Sequence, residues 1–200
     1  MDNELENLPS KDASERCITG KEKPGYRRLV FDILETLFLS LILFVGINLL
    51  SARIRVDGSS MEPTLHHGEF LIVNKLAYKL GSPRVGDVVV FYSPGNPAEE
   101  FIKRVVGLPG DQVEISAGEV LVNGKVLDEP YIAAPPLYHG TWTVPDSSLF
   151  VLGDNRNNSD DSHRWGAVAI DQVVGKAIFV YWPPEEWGSL NQGNPALSPP

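Results

Sequence analysis

The stretch QVEISAGEVLVNGKVL, residues 112–127, contains two short runs rich in Val and Ile, residues 112–115 and 120–122. Asn123-Gly124 follows, set between LV and KVL, and is the strongest two-residue hairpin signal in the chain. It predicts antiparallel strands. Outward from it, between residue 54 and about residue 183, similar runs recur at 70–73, 87–92, 150–152 and 173–181, separated by Gly, Pro, Asn and Asp. Only residues 71–80 read as a short helix, and no internal repeat is visible. The expected fold is mainly β: an antiparallel sheet domain over residues 51–183.

The whole chain has 200 residues, of which 42% are hydrophobic and 22% charged, with a net charge of −9. That allows one folded domain with appendages rather than two full domains, and it argues against disorder, collagen-like repeats and a basic nucleic-acid binder. Cys17 is the single cysteine, so neither an internal disulfide nor a zinc-thiolate cluster is available. The four histidines are scattered without metal-site spacing. Residues 1–28 carry six basic and six acidic side chains, 29–50 only Asp32 and Glu35, and 51–183 eleven basic and sixteen acidic ones. No segment holds a basic block, and no nucleic-acid partner is expected.

Upstream of the β region, residues 29–50 read LVFDILETLFLSLILFVGINLL. At about 1.5 Å per residue they would form roughly 33 Å of helix, enough to cross a bilayer. Asp32 and Glu35 fall in the first two turns, where they can reach interfacial water or pair with Arg28. A buried soluble helix and a cleaved signal sequence are the alternatives. The 28-residue polar lead-in, the length of the run and the lack of a small-x-small site after it favour a retained anchor. Arg16, Lys21, Lys23, Arg27 and Arg28 precede the run while only Arg53 and Arg55 follow closely, so residues 1–28 are expected in the cytoplasm and the β domain outside it. Cys17 then sits on the reducing side. Residues 184–200 have almost no periodicity and are expected to form a flexible tail.

Three segments carry candidate chemistry. In GSSMEPTL, residues 58–65, a Ser between a permissive glycine and a Pro-fixed turn can be presented on a bend with its N–H aimed at a bound carbonyl; a plain turn fits as well. In residues 101–111, FIKRVVGLPGD, Lys103 lies among apolar residues and Arg104 points to the other strand face. If Lys103 faces inward, burial and the neighbouring cation would both lower its pKa and leave a neutral, proton-accepting amine; a snorkelling lysine is the alternative. The third, GDNRNNSDDSHRWG at 153–166, lacks the Gly and Glu order of a calcium loop and suggests a hydrogen-bonded buttress. Ser60, Asp154 or Asp161, and His163 also leave a Ser-His-Asp triad open.

Taken together, SMEPTL (60–65), GDVVVF (86–91), KRVVGLPGD (103–111) and GDNRNNSDDSHRWG (153–166), in this order after one apolar span, resemble the type I signal peptidases. The resemblance runs from the apolar span to about residue 183. It implies a signal peptidase/LexA-like β fold and a membrane-anchored serine endopeptidase that removes signal peptides after Ala-x-Ala sites by a Ser-Lys dyad. By this resemblance Ser60 is the nucleophile and Lys103 the general base, and Ser159 bonds and orients the lysine amine. Asp154 and Asp161, with Arg104 and Arg156, hold the surrounding strands. The Ser60 N–H is the implied oxyanion donor; Gly58 stands where some members have a serine hydroxyl as second donor. His163 replaces an arginine found in many bacterial members and is read as a buttress, and the DSH-x-WG form resembles the cyanobacterial and plastid thylakoid branch. The implied partners are signal-peptide-bearing preproteins and the lipid bilayer, in a plasma or thylakoid membrane. A monomer without metal or organic cofactor is expected. The competing readings are a LexA-like Ser-Lys autoprotease and a tethered β domain that binds partners without catalysis.

Overall fold

The computed structural model describes residues 25–190; Cys17, most of the expected cytoplasmic lead and residues 191–200 lie outside the described residues. The chain divides into a helical unit ending at Leu43 and a β-rich unit beginning at Phe44. The helix α1, Tyr26–Leu50, covers the apolar run and extends three residues ahead of Leu29 to Tyr26. No residue of α1 is buried.

In the second unit the chain continues as β1 (Ser51–Arg55), β2 (Phe70–Asn74), the short helix α2 (Ala77–Leu80), β3 (Val88–Ser93) and β4 (Asn96–Gly107). Then come β5 (Gln112–Ser116), β6 (Glu119–Val122), β7 (Lys125–Val126), β8 (Gly140–Thr143) and β9 (Ser148–Leu152). The last elements are α3 (Ser162–Trp165), β10 (Val168–Ala169), β11 (Val173–Trp182) and β12 (Gly188–Ser189). They form an eight-stranded sheet in the order β1-β2-β11-β3-β4-β9-β10, with β12 added to β11, and a four-stranded sheet in the order β7-β6-β5-β8. Every pairing is antiparallel.

The hairpin at Asn123-Gly124 joins β6 to β7, pairing Val122 with Lys125, and both turn residues take positive φ (53° and 77°). Strand β5 alternates strictly: Val113 and Ile115 are buried while Gln112 and Glu114 are exposed. The buried pair packs with Val120, Val122, Val106 and Phe150 in one cluster.

The run VVVF in β3 has no such alternation, and the large sheet explains why. Val88 and Val90 join Leu71, Val73, Ile102 and Ala177, whereas Val89 and Phe91 join Val105, Leu149 and Val151 in a separate cluster. A strand covered on both faces reads as a continuous apolar run. Each such side chain contributes about 1.5–3 kcal/mol on burial.

Two local expectations change. Residues 71–74 belong to β2, where Leu71 and Val73 are fully buried opposite β11, and only Ala77–Leu80 is helical. The polar-looking residues 184–190 do not run loose. After Pro183 a 3-10 turn, Pro184–Glu186, returns the chain onto β11 as β12, and Leu190 is buried with Val56 and Met61. Leu190 is the one side chain of the segment that enters the core, too small a signal for periodicity to register.

The topology sets up the site. Strand β4 lies between β3 and β9, with Lys103 opposite Val89 and Arg104 between Val88 and Leu152. The loop after β9 begins at Gly153 and therefore starts beside Arg104.

Candidate active site

Ser60 lies in the connection from β1 to β2. Gly58 takes φ +92°, a left-handed conformation open to glycine at little cost, and turns the chain just ahead of it. Beyond it, Met61 and Leu65 are buried in the core, and Leu65 donates its N–H to Met61 O at 2.9 Å. The turn is therefore pinned by apolar side chains on its C-terminal side. The loop after β9 pins it again: Asn155 donates its backbone N–H to Ser60 O at 3.0 Å and its side-chain Nδ2 to Ser59 O at 3.1 Å, and Asn158 Nδ2 donates to Ser59 Oγ at 3.0 Å. Gly153 sits so close to this contact that a Cβ there would collide with Ser159 Oγ and Ser60 O.

Lys103 is 4% exposed, and its Nζ lies 2.7 Å from Ser60 Oγ and 3.0 Å from Ile102 O. Burial lowers its pKa from 10.5 to about 8, against the opposing pull of Asp161, Asp160 and Asp154. The expected contribution of the neighbouring cation is absent from these causes. The physical reason is that the Arg104 guanidinium is directed to the other side of the strand and neutralised by Asp154. Ser60 and Lys103 open together on a cleft of about 310 Å³, lined also by Val56, Gly58, Phe101 and Ile102. A larger cavity of about 590 Å³ lies between α2 and the start of β11 and contains none of the motif residues. The hydroxyl and the amine meet in the smaller cleft. Among the described residues no three His, Cys, Asp or Glu side chains gather as a metal site requires.

Behind the cleft is a charged brace. Arg104 holds Asp154 through Nε and Nη2 at 2.8 and 2.6 Å and donates to Gly86 O at 3.0 Å; Thr64 Oγ1 donates to the same carboxylate at 2.5 Å. Arg156 pairs outside the 153–166 loop. Its fork closes on Glu129 at 2.7 and 2.6 Å, and its Nε donates to Gly153 O at 3.1 Å. Tyr131 stacks under Arg104, 4.0 Å from the guanidinium carbon, and donates its hydroxyl to Glu129 at 2.8 Å. Asp161 caps α3, accepting from the N–H of Gly153 at 2.9 Å and of His163 at 3.2 Å.

One expected contact is not formed, and the alternative triad is not assembled. The Ser159 hydroxyl is buried but has no hydrogen-bond partner, so it does not bond the Lys103 amine. His163 meets Asp161 through Nδ1 at 2.6 Å, receives Arg164 Nε at 3.3 Å and stacks on Tyr138 at 4.0 Å. No hydrogen bond among the described residues joins His163 to Ser60, so the triad is not assembled. Sequence reasoning missed Glu129, Tyr131, Thr64 and Asn155. The only trace of the first two is the DEPY that follows the hairpin, and nothing in that spacing names Arg156 as the partner.

The family described as signal peptidase, peptidase S26, matches residues 30–182. The chain belongs to this family. It is accordingly a serine peptidase, a hydrolase of signal-peptide processing. It is 47% identical over 163 residues to a probable signal peptidase I-2 of Synechocystis, covering 78% of this chain and 75% of that protein. With a probable thylakoidal processing peptidase 2 of Arabidopsis thaliana it shares 40% over 139 residues, 66% of this chain and 38% of that one. A solved signal peptidase I from Enterococcus faecalis matches at 35% identity over 47% of this chain and 95% of its own, with a TM-score of 0.44. The cyanobacterial and thylakoid likeness of the DSH-x-WG segment thus extends along most of the chain.

Proposed function

We propose that Ser60 and Lys103 form the catalytic dyad of a membrane-anchored signal peptidase that cuts preproteins after small residues. The observation that carries this reading is the 2.7 Å approach of the buried Lys103 amine to the Ser60 hydroxyl. Neutral Lys103 takes the Ser60 proton as Oγ attacks the scissile carbonyl, and the ammonium then protonates the leaving amine. Water hydrolyses the acyl-enzyme with Lys103 again as base, releasing the signal peptide and a free Ser60. The Ser60 N–H donates to no acceptor among the described residues and is available to the oxyanion. The substrate binds extended, placing the side chains one and three residues before the cut on one face, where shallow pockets admit Ala, Gly or Ser.

Helix α1 is the anchor. Its 25 residues would reach about 38 Å, and its apolar side chains have no protein covering them. Thr36 and Ser40 return their hydroxyls to the carbonyls of Asp32 and Thr36 at 2.7 Å each, which satisfies those polar groups within the helix. The basic residues before it orient the N-terminus to the cytoplasm and the β unit to the opposite side, on a plasma or thylakoid membrane, as a monomer. An acylating probe tests the dyad: it should label Ser60 in the full chain and lose that labelling in Lys103→Ala. Equal labelling of the variant would discard the assignment.

A further inference from the structure

Gly58 carries no hydroxyl to offer an oxyanion, so the backbone donor at Ser60 has to be held well. We propose that Asn155 is a positioning residue that aims this donor. The inference rests on the dyad reading above and adds a residue to it.

A peptide group is planar and trans, so its C=O and N–H point in opposite directions. The N–H of Ser60 and the C=O of Ser59 belong to one such plane. Ser59 O accepts Asn155 Nδ2 at 3.1 Å and the Glu62 N–H at 3.2 Å, while the next carbonyl, Ser60 O, accepts the Asn155 backbone N–H at 3.0 Å. Two successive carbonyls of the nucleophile turn are thus held by one asparagine. Asn155 is not among the residues lining the cleft, whereas Ser59, Ser60 and Met61 are. Its pull on Ser59 O from behind turns the Ser60 N–H away from it, toward the cleft. The Glu62 bond lies within the turn and moves with it; the Asn155 bond ties the plane to the loop after β9. That loop is fixed in turn by Asp154 on Arg104 and by Arg156 on Glu129.

The test uses the full chain in detergent micelles and a fluorogenic peptide with an Ala-x-Ala site. Two ligands of the same sequence are compared. One ends in an aldehyde, whose adduct with Ser60 places an oxyanion, and the other in a carboxamide, which forms no adduct. Asn155→Ala should lower kcat about 10²-fold, the scale of losing an oxyanion donor, with KM within about twofold. It should weaken the aldehyde by a similar factor, leave the carboxamide unchanged, and keep the pH midpoint of the rate where Lys103 sets it. Should the alanine variant fold poorly, Asn155→Asp keeps the shape while its carboxylate cannot donate, and the same losses are expected. Asn157→Ala, whose carboxamide bonds Leu137 N–H and Pro135 O instead, should behave as wild type. Retention of kcat within about threefold, or equal loss of both ligands, overturns the proposal. Ser60→Ala separates the two readings: if it keeps activity the dyad itself fails, and if it is inactive while Asn155→Ala works normally only this inference fails.

Discussion

Lys103 and Arg104 are consecutive residues of one strand, 4% and 1% exposed, yet they end in opposite chemical situations. Arg104 meets Asp154 through two hydrogen bonds and Gly86 O through a third, with Tyr131 beneath its plane. Lys103 meets a serine hydroxyl, a carbonyl and, at 5.4 Å, the Phe101 ring, with no carboxylate in ion-pair reach among the described residues. Burial with a partner fixes a charge in place; burial without one makes the neutral form easier to reach, and the Lys103 pKa falls to about 8. The same strand therefore supplies a proton acceptor on one side and a brace on the other, and the period-two alternation of side chains keeps the two apart.

The comparison breaks first at the dyad. Ser60→Ala and Lys103→Ala should each lower preprotein processing by about 10⁴-fold or more, with an unchanged melting temperature. Lys103→Arg should be equally inactive, because a guanidinium stays protonated. Normal processing by any of the three would remove the distinction between the two cations. On the brace side the loss should appear in stability. Asp154→Ala leaves the Arg104 guanidinium buried without its carboxylate and should cost about 3–5 kcal/mol in denaturant unfolding of the full chain in micelles. A loss below about 1 kcal/mol would mean that Arg104 is not braced by this pair. The smallest effect is expected at His163. Arginine can donate to Asp161 and stack on Tyr138 as the imidazole does, so His163→Arg should keep kcat/KM within about threefold. A collapse to background would restore a catalytic histidine.

Some of this was legible before any coordinates. Asn123-Gly124 specified a hairpin because only certain residues tolerate its backbone, and the apolar run at 87–92 specified a strand, whereas the cover on both its faces needed the sheet order. Ser60, Lys103 and the 153–166 loop stood out through their resemblance to a family rather than through spacing. The pairing of Arg156 with Glu129 was not legible, since the two meet only after the four-stranded sheet has folded beside the loop. Nor was the source of the Lys103 shift: Arg104 turns to the other strand face and is paired with Asp154, and burial is the largest cause. The docking of residues 184–190 combines strand pairing, the Trp187 indole on Tyr181 O and the buried Leu190, none of which forms a periodic pattern. Local rules read turns and strand faces, while long-range charge pairing needs the topology.

Lys103 acting as a neutral base leaves its signature in the rate. The measurement that tests it most directly is the pH dependence of kcat/KM for a peptide substrate without ionisable groups. Burial stabilises the neutral amine, so the rate should climb about tenfold per pH unit on the acid side and level off above about pH 8. A midpoint near 6.5, the range of an imidazole, would contradict the account.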